Sequence, residues 1–182
     1  GIVNITNDAY VADEFFKLPA YYKRFTAADV RELMAGDGVF LLAHARNAPR
    51  TICGSLHLTR SVAATGPTEK PSGVHSSGNF GAVAVGRAYE KRGIGAALVR
   101  AAERYVLTGA RDHAAPASVP RTADIEMGVI NLRADLFVWY GKMGFARGEE
   151  MRPNNEELTR ICLPELDVCC VKMHKALDLD KL

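Results

Sequence analysis

Between Glu90 and Val99 the chain reads EKRGIGAALV: two cations, Lys91 and Arg92, precede two glycines two positions apart, and an apolar run follows. The first turn of a helix presents N–H groups without intrahelical partners, and the aligned peptide dipoles make that end equivalent to about half a positive charge. A phosphate or pyrophosphate suits such an end. Gly93 and Gly95 remove side chains that would hold an anion away from the backbone, while Lys91 and Arg92 add mobile positive charge beside it. The finer spacing is neither that of a P-loop, which needs GxxxxGK and then Ser or Thr, nor that of a dinucleotide-binding turn, which needs a small residue where Leu98 stands.

The flanking elements must place that turn. Ile94, Leu98, Ala101 and Tyr105 recur at spacings of four, three and four, an apolar stripe along a helix that Gly109 can end. Before it, FGAVAV (Phe80 to Val85) reads as a strand covered on both faces. After it, ADIEMGVI (Ala123 to Ile130) is a strand. RADLFVWYGKMGF (Arg133 to Phe145) is a helix with Leu136, Phe137, Tyr140 and Met143 on one face, stopped by a left-handed Gly144. VFLLAHA (Val39 to Ala45) and TICGSLHLT (Thr51 to Thr59) flank a short turn with Asn47 and Pro49 and read as an antiparallel hairpin. Upstream, a helix is expected from about Thr6 to Phe16. The aromatic segment FKLPAYYKRF follows, interrupted by Pro19, and then a helix capped by Thr26 with Asp29 in its first turn. Ser61 to Gly78 is rich in Ser, Gly, Pro and Thr and reads as a long loop or binding rim. Two last strands are expected near Ala146 to Met151 and Leu166 to His174.

With 182 residues, the chain is expected to form one domain over residues 1–182; it opens on Gly1 and is amphipathic within a few residues, so a first strand is expected to be missing. Its 48% hydrophobic and 24% charged residues are those of a globular protein with a packed core. The net charge of +2 and the scattered basic residues argue against a nucleic-acid partner, so any cationic site is local. Cys53, Cys162, Cys169 and Cys170 form no CxxC pair or zinc-like cluster, which points to buried thiols in a reducing compartment and to no structural metal. No apolar run approaches the roughly 20 residues that span a bilayer, so no membrane partner and a cytoplasmic location are expected.

The segment AVAVGRAYEKRGIGAALVRAAE resembles motif A of the GNAT superfamily, the acetyl-CoA-dependent N-acetyltransferases, whose signature after a strand is Gln/Arg-x-x-Gly-x-Gly/Ala. Gly93 and Gly95 match it, and Glu90 departs from it at the first position. NLRADLFVWYGKMGF resembles the superfamily's motif B, a helix with a tyrosine four residues before a Gly-Phe or Gly-Tyr pair. The resemblance runs from about Phe40 to Lys175.

It implies an α/β (α+β) fold: a mixed, mostly antiparallel sheet with helices on both faces, splayed between the strands that end at Val85 and Ile130. Acetyl-CoA, the co-substrate, would pair its pantetheine arm with the backbone of Val83, Ala84 and Val85, and Lys91, Arg92, Gly93, Ile94, Gly95 and Ala96 would wrap the pyrophosphate. Transfer would proceed by direct attack of a primary amine, with a backbone N–H at Val83 to Val85 polarising the carbonyl and Tyr140 giving a proton to the departing thiolate, a phenol being protonated at neutral pH. Without motif B, Tyr140 reads as a core tyrosine. Glu126 and His57 are the alternatives for the base. Arg133 is open between a contact to coenzyme A, an acidic acceptor and a place at the helix start, and Trp139 packs. The aromatic segment Phe16 to Phe25 is where relatives build a lid, so it is expected to sort acceptors, and the acceptor is a small-molecule or peptide amine. A longer acyl group is the alternative to acetyl. A noncatalytic coenzyme A sensor or interaction module is the alternative to an enzyme, and the protein is read as a monomer or homodimer.

Overall fold

A computed structural model of the chain describes residues 1–65, 73–109, 122–151, 160–178 and 180. Helix α1 (Ile2–Tyr10) comes first and gives way to a 3-10 helix, Val11–Phe16. The single helix expected over Thr6 to Phe16 is thus shorter and begins earlier. It breaks because Asp13 turns inward, where its carboxylate pairs with Arg133 across 120 positions of sequence. A second 3-10 turn, Pro19–Tyr21, leads to α2 (Ala27–Ala35). Thr26 and Asp29 close a reciprocal cap at the start of α2, with Asp29 N–H on the Thr26 hydroxyl at 3.2 Å and Thr26 N–H on the Asp29 carboxylate at 2.7 Å. Such a cap contributes about 1 kcal/mol.

Strands β1 (Val39–Ala45) and β2 (Ala48–Thr65) form the expected hairpin, pairing from Val39 with Leu58 to Ala45 with Ala48. The loop read over Ser61 to Gly78 is mostly strand instead. β2 runs on to Thr65 and pairs with β3 (Gly73–Val85), and 66–72 lie outside the described residues. Cross-strand pairing outweighs the loop-like composition there. Helix α3 (Ile94–Thr108) ends at Gly109, whose φ of +66° supports the left-handed stop. β4 (Thr122–Ile130) and α4 (Ala134–Gly141) follow, the latter shorter than the expected Arg133 to Phe145. Past α4, Gly144 at φ +89° brings Phe145 N–H back to the Tyr140 carbonyl at 3.2 Å, a left-handed stop as expected. β5 (Ala146–Met151) stands where expected, whereas the last strand, β6, spans Cys170–Asp178 and leaves Leu166 in the preceding turn.

Among the described residues the sheet has six strands in the order β1-β2-β3-β4-β6-β5, antiparallel except for β3 beside β4. Helix α3 covers one face, with Leu98 over Gly54; its own Val99 and Val106 and the strand residues Leu56, Leu58 and Ile125 are fully buried between helix and sheet. Each such side chain contributes about 1.5–3 kcal/mol by leaving water. That burial, more than intrinsic propensity, holds a 15-residue helix that would be marginal alone. Helices α1 and α2 lie on the other face: Thr6 is 3.4 Å from Ser55, and Phe25 and Val30 pack on Ala82.

The β3–β4 seam shapes everything that follows. Parallel pairing runs only from Ser76 with Ala123 to Asn79 with Glu126, after which the two strands part. Just beyond, β3 bulges: the register on β2 slips between Ser55 and His57, and Ala82 takes a left-handed φ of +50°. The extra residue shifts the side-chain alternation by one. Ala82 turns to α2, and Val83 and Val85 turn to the α3 face, where Val83 joins the main core.

Candidate acyl-transfer site

A cavity of about 620 Å³ fills the gap between the parted strands, lined by Val83 and Val85 on one side and by Met127, Val129 and Ile130 on the other. The edge of β3 from Phe80 to Val85 has no ladder partner on β4, so its N–H and C=O groups face an open seam. A smaller cavity of about 210 Å³ lies against the start of α3 and is lined by Gly93, Ile94, Gly95 and Ala96. Val85, Glu90, Lys91, Gly95 and Trp139 line both cavities, so the two adjoin.

The start of α3 is built as an uncapped positive end. Gly93 is the N-cap residue at φ +78°, no side chain caps the helix, and the first described intrahelical bond there runs from Ala97 N–H to the Gly93 carbonyl at 3.0 Å. The N–H groups of Ile94, Gly95 and Ala96 precede any intrahelical acceptor. Lys91 takes φ +58°, so two left-handed residues curl the backbone around this end. The two glycines differ in role. A side chain at Gly93 would meet nothing within 4 Å, so glycine is needed there for its backbone angle, and the space beside it is open. A Cβ at Gly95 would lie 3.2 Å from the Trp139 indole, so Gly95 makes room for Trp139 as well as for any ligand.

Eight of the expected site residues line these cavities: Val83, Val85, Lys91, Gly93, Ile94, Gly95, Ala96 and Tyr140. Two do not. Ala84 is buried, its side chain turned away from the lining by the bulge's alternation, so only its backbone can serve. Arg92 is exposed, with its guanidinium 5.6 Å from the Tyr89 ring, beside the site and outside its lining. Glu90 lines both cavities and brings a negative charge to the end where an anion would bind.

Tyr140 reaches the larger cavity from α4, held among Phe80, Trp139 and Phe145 with ring centroids 6.1, 4.6 and 5.8 Å away. Burial pushes its phenol well above the usual tyrosine range, nearby Tyr10 adds to the rise, and Arg133 opposes it. Its hydroxyl is therefore neutral and able to donate at any physiological pH. Arg133, at the N-cap of α4, is fastened on two sides: Nε and Nη2 donate to the two Asp135 carboxylate oxygens at 2.9 and 2.8 Å, and Nη1 donates to Asp13. The Asp135 bonds raise its pKa further.

Neither base candidate lines the cavity that holds Tyr140. Glu126 pairs with Lys172. His57 packs on Phe40 with ring centroids 4.9 Å apart and Nε2 against Gly38, and it lines a trough beside α2 that adjoins the Tyr140 cavity at Gly81 and Ala82. The segment Phe16 to Phe25 contributes no side chain to the larger cavity either. It is pinned to the chain before β6, with Leu163 N–H on the Phe16 carbonyl at 2.8 Å and Leu18 N–H on the Ile161 carbonyl at 2.9 Å. Tyr10 and Asp13 take that place instead. The sequence carried little signal for them, since both sit in an amphipathic stretch whose break is set by the distant Arg133. The described cysteines form no disulfide, and among the described residues no group of His, Cys, Asp and Glu is placed to hold a metal ion. No described helix is long and apolar enough to cross a membrane.

No protein-family model matches the sequence, and no curated protein matches it. Solved structures do match its fold. An aminoglycoside 6′-N-acetyltransferase complexed with coenzyme A aligns with a TM-score of 0.57 at 15% identity, over 95% of this chain and 89% of that one. Arabidopsis thaliana NAA60 in complex with acetyl-CoA aligns at 0.57 and 16% identity, over 85% of each chain. An acetyltransferase of the GNAT family from Staphylococcus aureus Mu50 aligns at 0.51 and 14% identity, over 98% of this chain and 90% of that one. With its parted parallel pair, bulged third strand and uncapped α3, the chain has the fold of the GNAT acetyltransferases.

Proposed function

We propose that the protein transfers the acetyl group of acetyl-CoA to a primary amine of a small molecule or peptide. One observation carries this reading: a continuous space runs from the uncapped start of α3, along the unpaired edge of β3, to the buried hydroxyl of Tyr140. The N–H groups of Ile94, Gly95 and Ala96, with Lys91, hold the pyrophosphate. The backbone edge at Val83 to Val85 holds the pantetheine arm as an added strand and polarises the thioester carbonyl.

The amine reacts neutral, having given a proton to water. Its nitrogen attacks the carbonyl carbon, the C–S bond breaks, and Tyr140 gives its proton to the thiolate. The second amine proton leaves to solvent, which also restores Tyr140. A base held in place is not required by this scheme, in keeping with the ties of Asp13 and Asp135 to Arg133.

Purified protein with acetyl-CoA and a panel of polyamines, amino acids, aminoglycosides and peptides tests the reading through free thiol release. Tyr140→Phe is expected to lower kcat by about 10²-fold, the lower end of general acid contributions, and to leave coenzyme A affinity unchanged. Coenzyme A binding with no turnover of any amine would support the sensor reading, which the Glu90 charge in both cavities favours. No heat or thermal shift on adding coenzyme A would defeat both.

A further inference from the structure

The parted strands give the larger cavity two halves, one on each face of the sheet. On the α3 face lie Gly95, Trp139 and Tyr140; on the α1 face lie Ala9, Tyr10 and Asp13, from the last turn of α1 and the start of the 3-10 helix. If coenzyme A fills the α3 half and its sulfur lies by Tyr140, as proposed above, the amine is left with the α1 half. The polar side chains there are few. Asp13 is taken by Arg133 and lies 3.8 Å from Lys17, and Asp135 is bound by Arg133 through both oxygens. Tyr10 is the remaining polar side chain of the α1 face that lines this space; Arg24 donates a hydrogen bond to its phenol, whose oxygen keeps a second lone pair, and it acts electrostatically on the Tyr140 phenol. Burial raises its pKa against the pull of Arg24, whose guanidinium sits 5.7 Å from the ring. A neutral phenol can accept a hydrogen bond from an amine without taking its proton.

We infer that Tyr10 is the amine-positioning residue of this site: its hydroxyl oxygen accepts one N–H of the acceptor and turns the nitrogen lone pair toward the thioester carbon. The inference rests on the acetyl-transfer reading. Tyr10 gains and loses no proton in the step. The bond between Asp13 and Arg133 acts through it, by pinning the turn that follows Tyr10 to the start of α4.

The probe is a conjugate of coenzyme A whose sulfur carries a methylene and an N-propylamide, so that an amide N–H reaches the α1 half. Calorimetry on the full chain compares it with coenzyme A itself. The unaltered protein should bind the conjugate about tenfold more tightly than coenzyme A, or about 1.4 kcal/mol. Tyr10→Phe should bind coenzyme A normally and lose the tenfold gain, whereas Tyr140→Phe should keep it. As a second readout that needs no variant to fold, the protein labelled with 3-fluorotyrosine should show a Tyr10 resonance that shifts more with the conjugate than with coenzyme A. A conjugate that binds no better than coenzyme A, a gain that survives Tyr10→Phe, or a Tyr10 resonance blind to the amide would each overturn the inference and leave acetyl transfer standing. If coenzyme A itself fails to bind, the acetyl-transfer reading falls and takes this one with it.

Discussion

At the scale of single residues, burial decides which groups can do chemistry. Tyr140 and Tyr10 are kept neutral by it, and so is His57, whose pKa is lowered by desolvation with no partner to offset it. The last has a consequence for stability. Below the ordinary histidine value of 6.5 the unfolded chain takes up a proton that folded His57 resists, so stability contributed above 6.5 is lost as the pH falls toward the folded pKa. Urea melts of the unaltered protein at pH 7.5 and 5.5 should therefore differ by more than those of His57→Phe, which also removes the unpartnered Nε2. Equal pH dependence in the two proteins would rule out this role. The sequence made Tyr140 legible through its place before Gly144 and Phe145. It said little of Tyr10, because a tyrosine on an amphipathic helix looks the same whether it faces a core or a cavity.

At the scale of elements, α3 was legible because one apolar stripe and one terminal glycine both reflect the same burial on the sheet. The bulge in β3 was not, since Ala82 in FGAVAV has a side chain that fits an unbroken strand, and only pairing with β2 shows the extra residue. The ribbon of β2 and β3 was hidden for a related reason: its Ser and Gly residues carry loop composition and gain their strand from each other. The two glycines of α3 make the separation of causes testable. Gly93→Ala places a side chain at φ +78° and should cost about 1 kcal/mol through the left-handed backbone. Gly95→Ala should instead push on the indole of Trp139, 3.2 Å away, and so shift the emission of the chain's one tryptophan. A calorimetric melt paired with a fluorescence spectrum distinguishes them. If Gly93→Ala moved the emission maximum and Gly95→Ala did not, the assignment of the two glycines would be reversed.

At the scale of the molecule, the seam can stay open only if the helices that flank it are tied to the sheet elsewhere. The sequence implied the parted strands through the two motifs and their order, but it gave no hint of that tie, which joins residues 72 and 32 positions apart. Lys175 of β6 donates to buried Glu103 of α3 at 2.8 Å and to the Met143 carbonyl, just past α4, at 2.9 Å, beneath the ring of Phe145. One ammonium thus joins the last strand to α3 and to the turn that follows α4. Glu103 is 2% exposed, so its carboxylate depends on that partner. Removing the lysine alone strands a buried charge, which typically costs about 3–5 kcal/mol, whereas replacing both partners by apolar residues of similar size is often close to neutral. Lys175→Met should therefore lower the melting temperature sharply, and adding Glu103→Leu should recover most of the loss. On the proposed reading, coenzyme A affinity measured on the same proteins should follow the melting temperature, because α3, whose first N–H groups would bind the phosphates, is the helix held by the pair. A single variant as stable as the unaltered protein would mean that the tie is not what keeps α3 and α4 beside the seam.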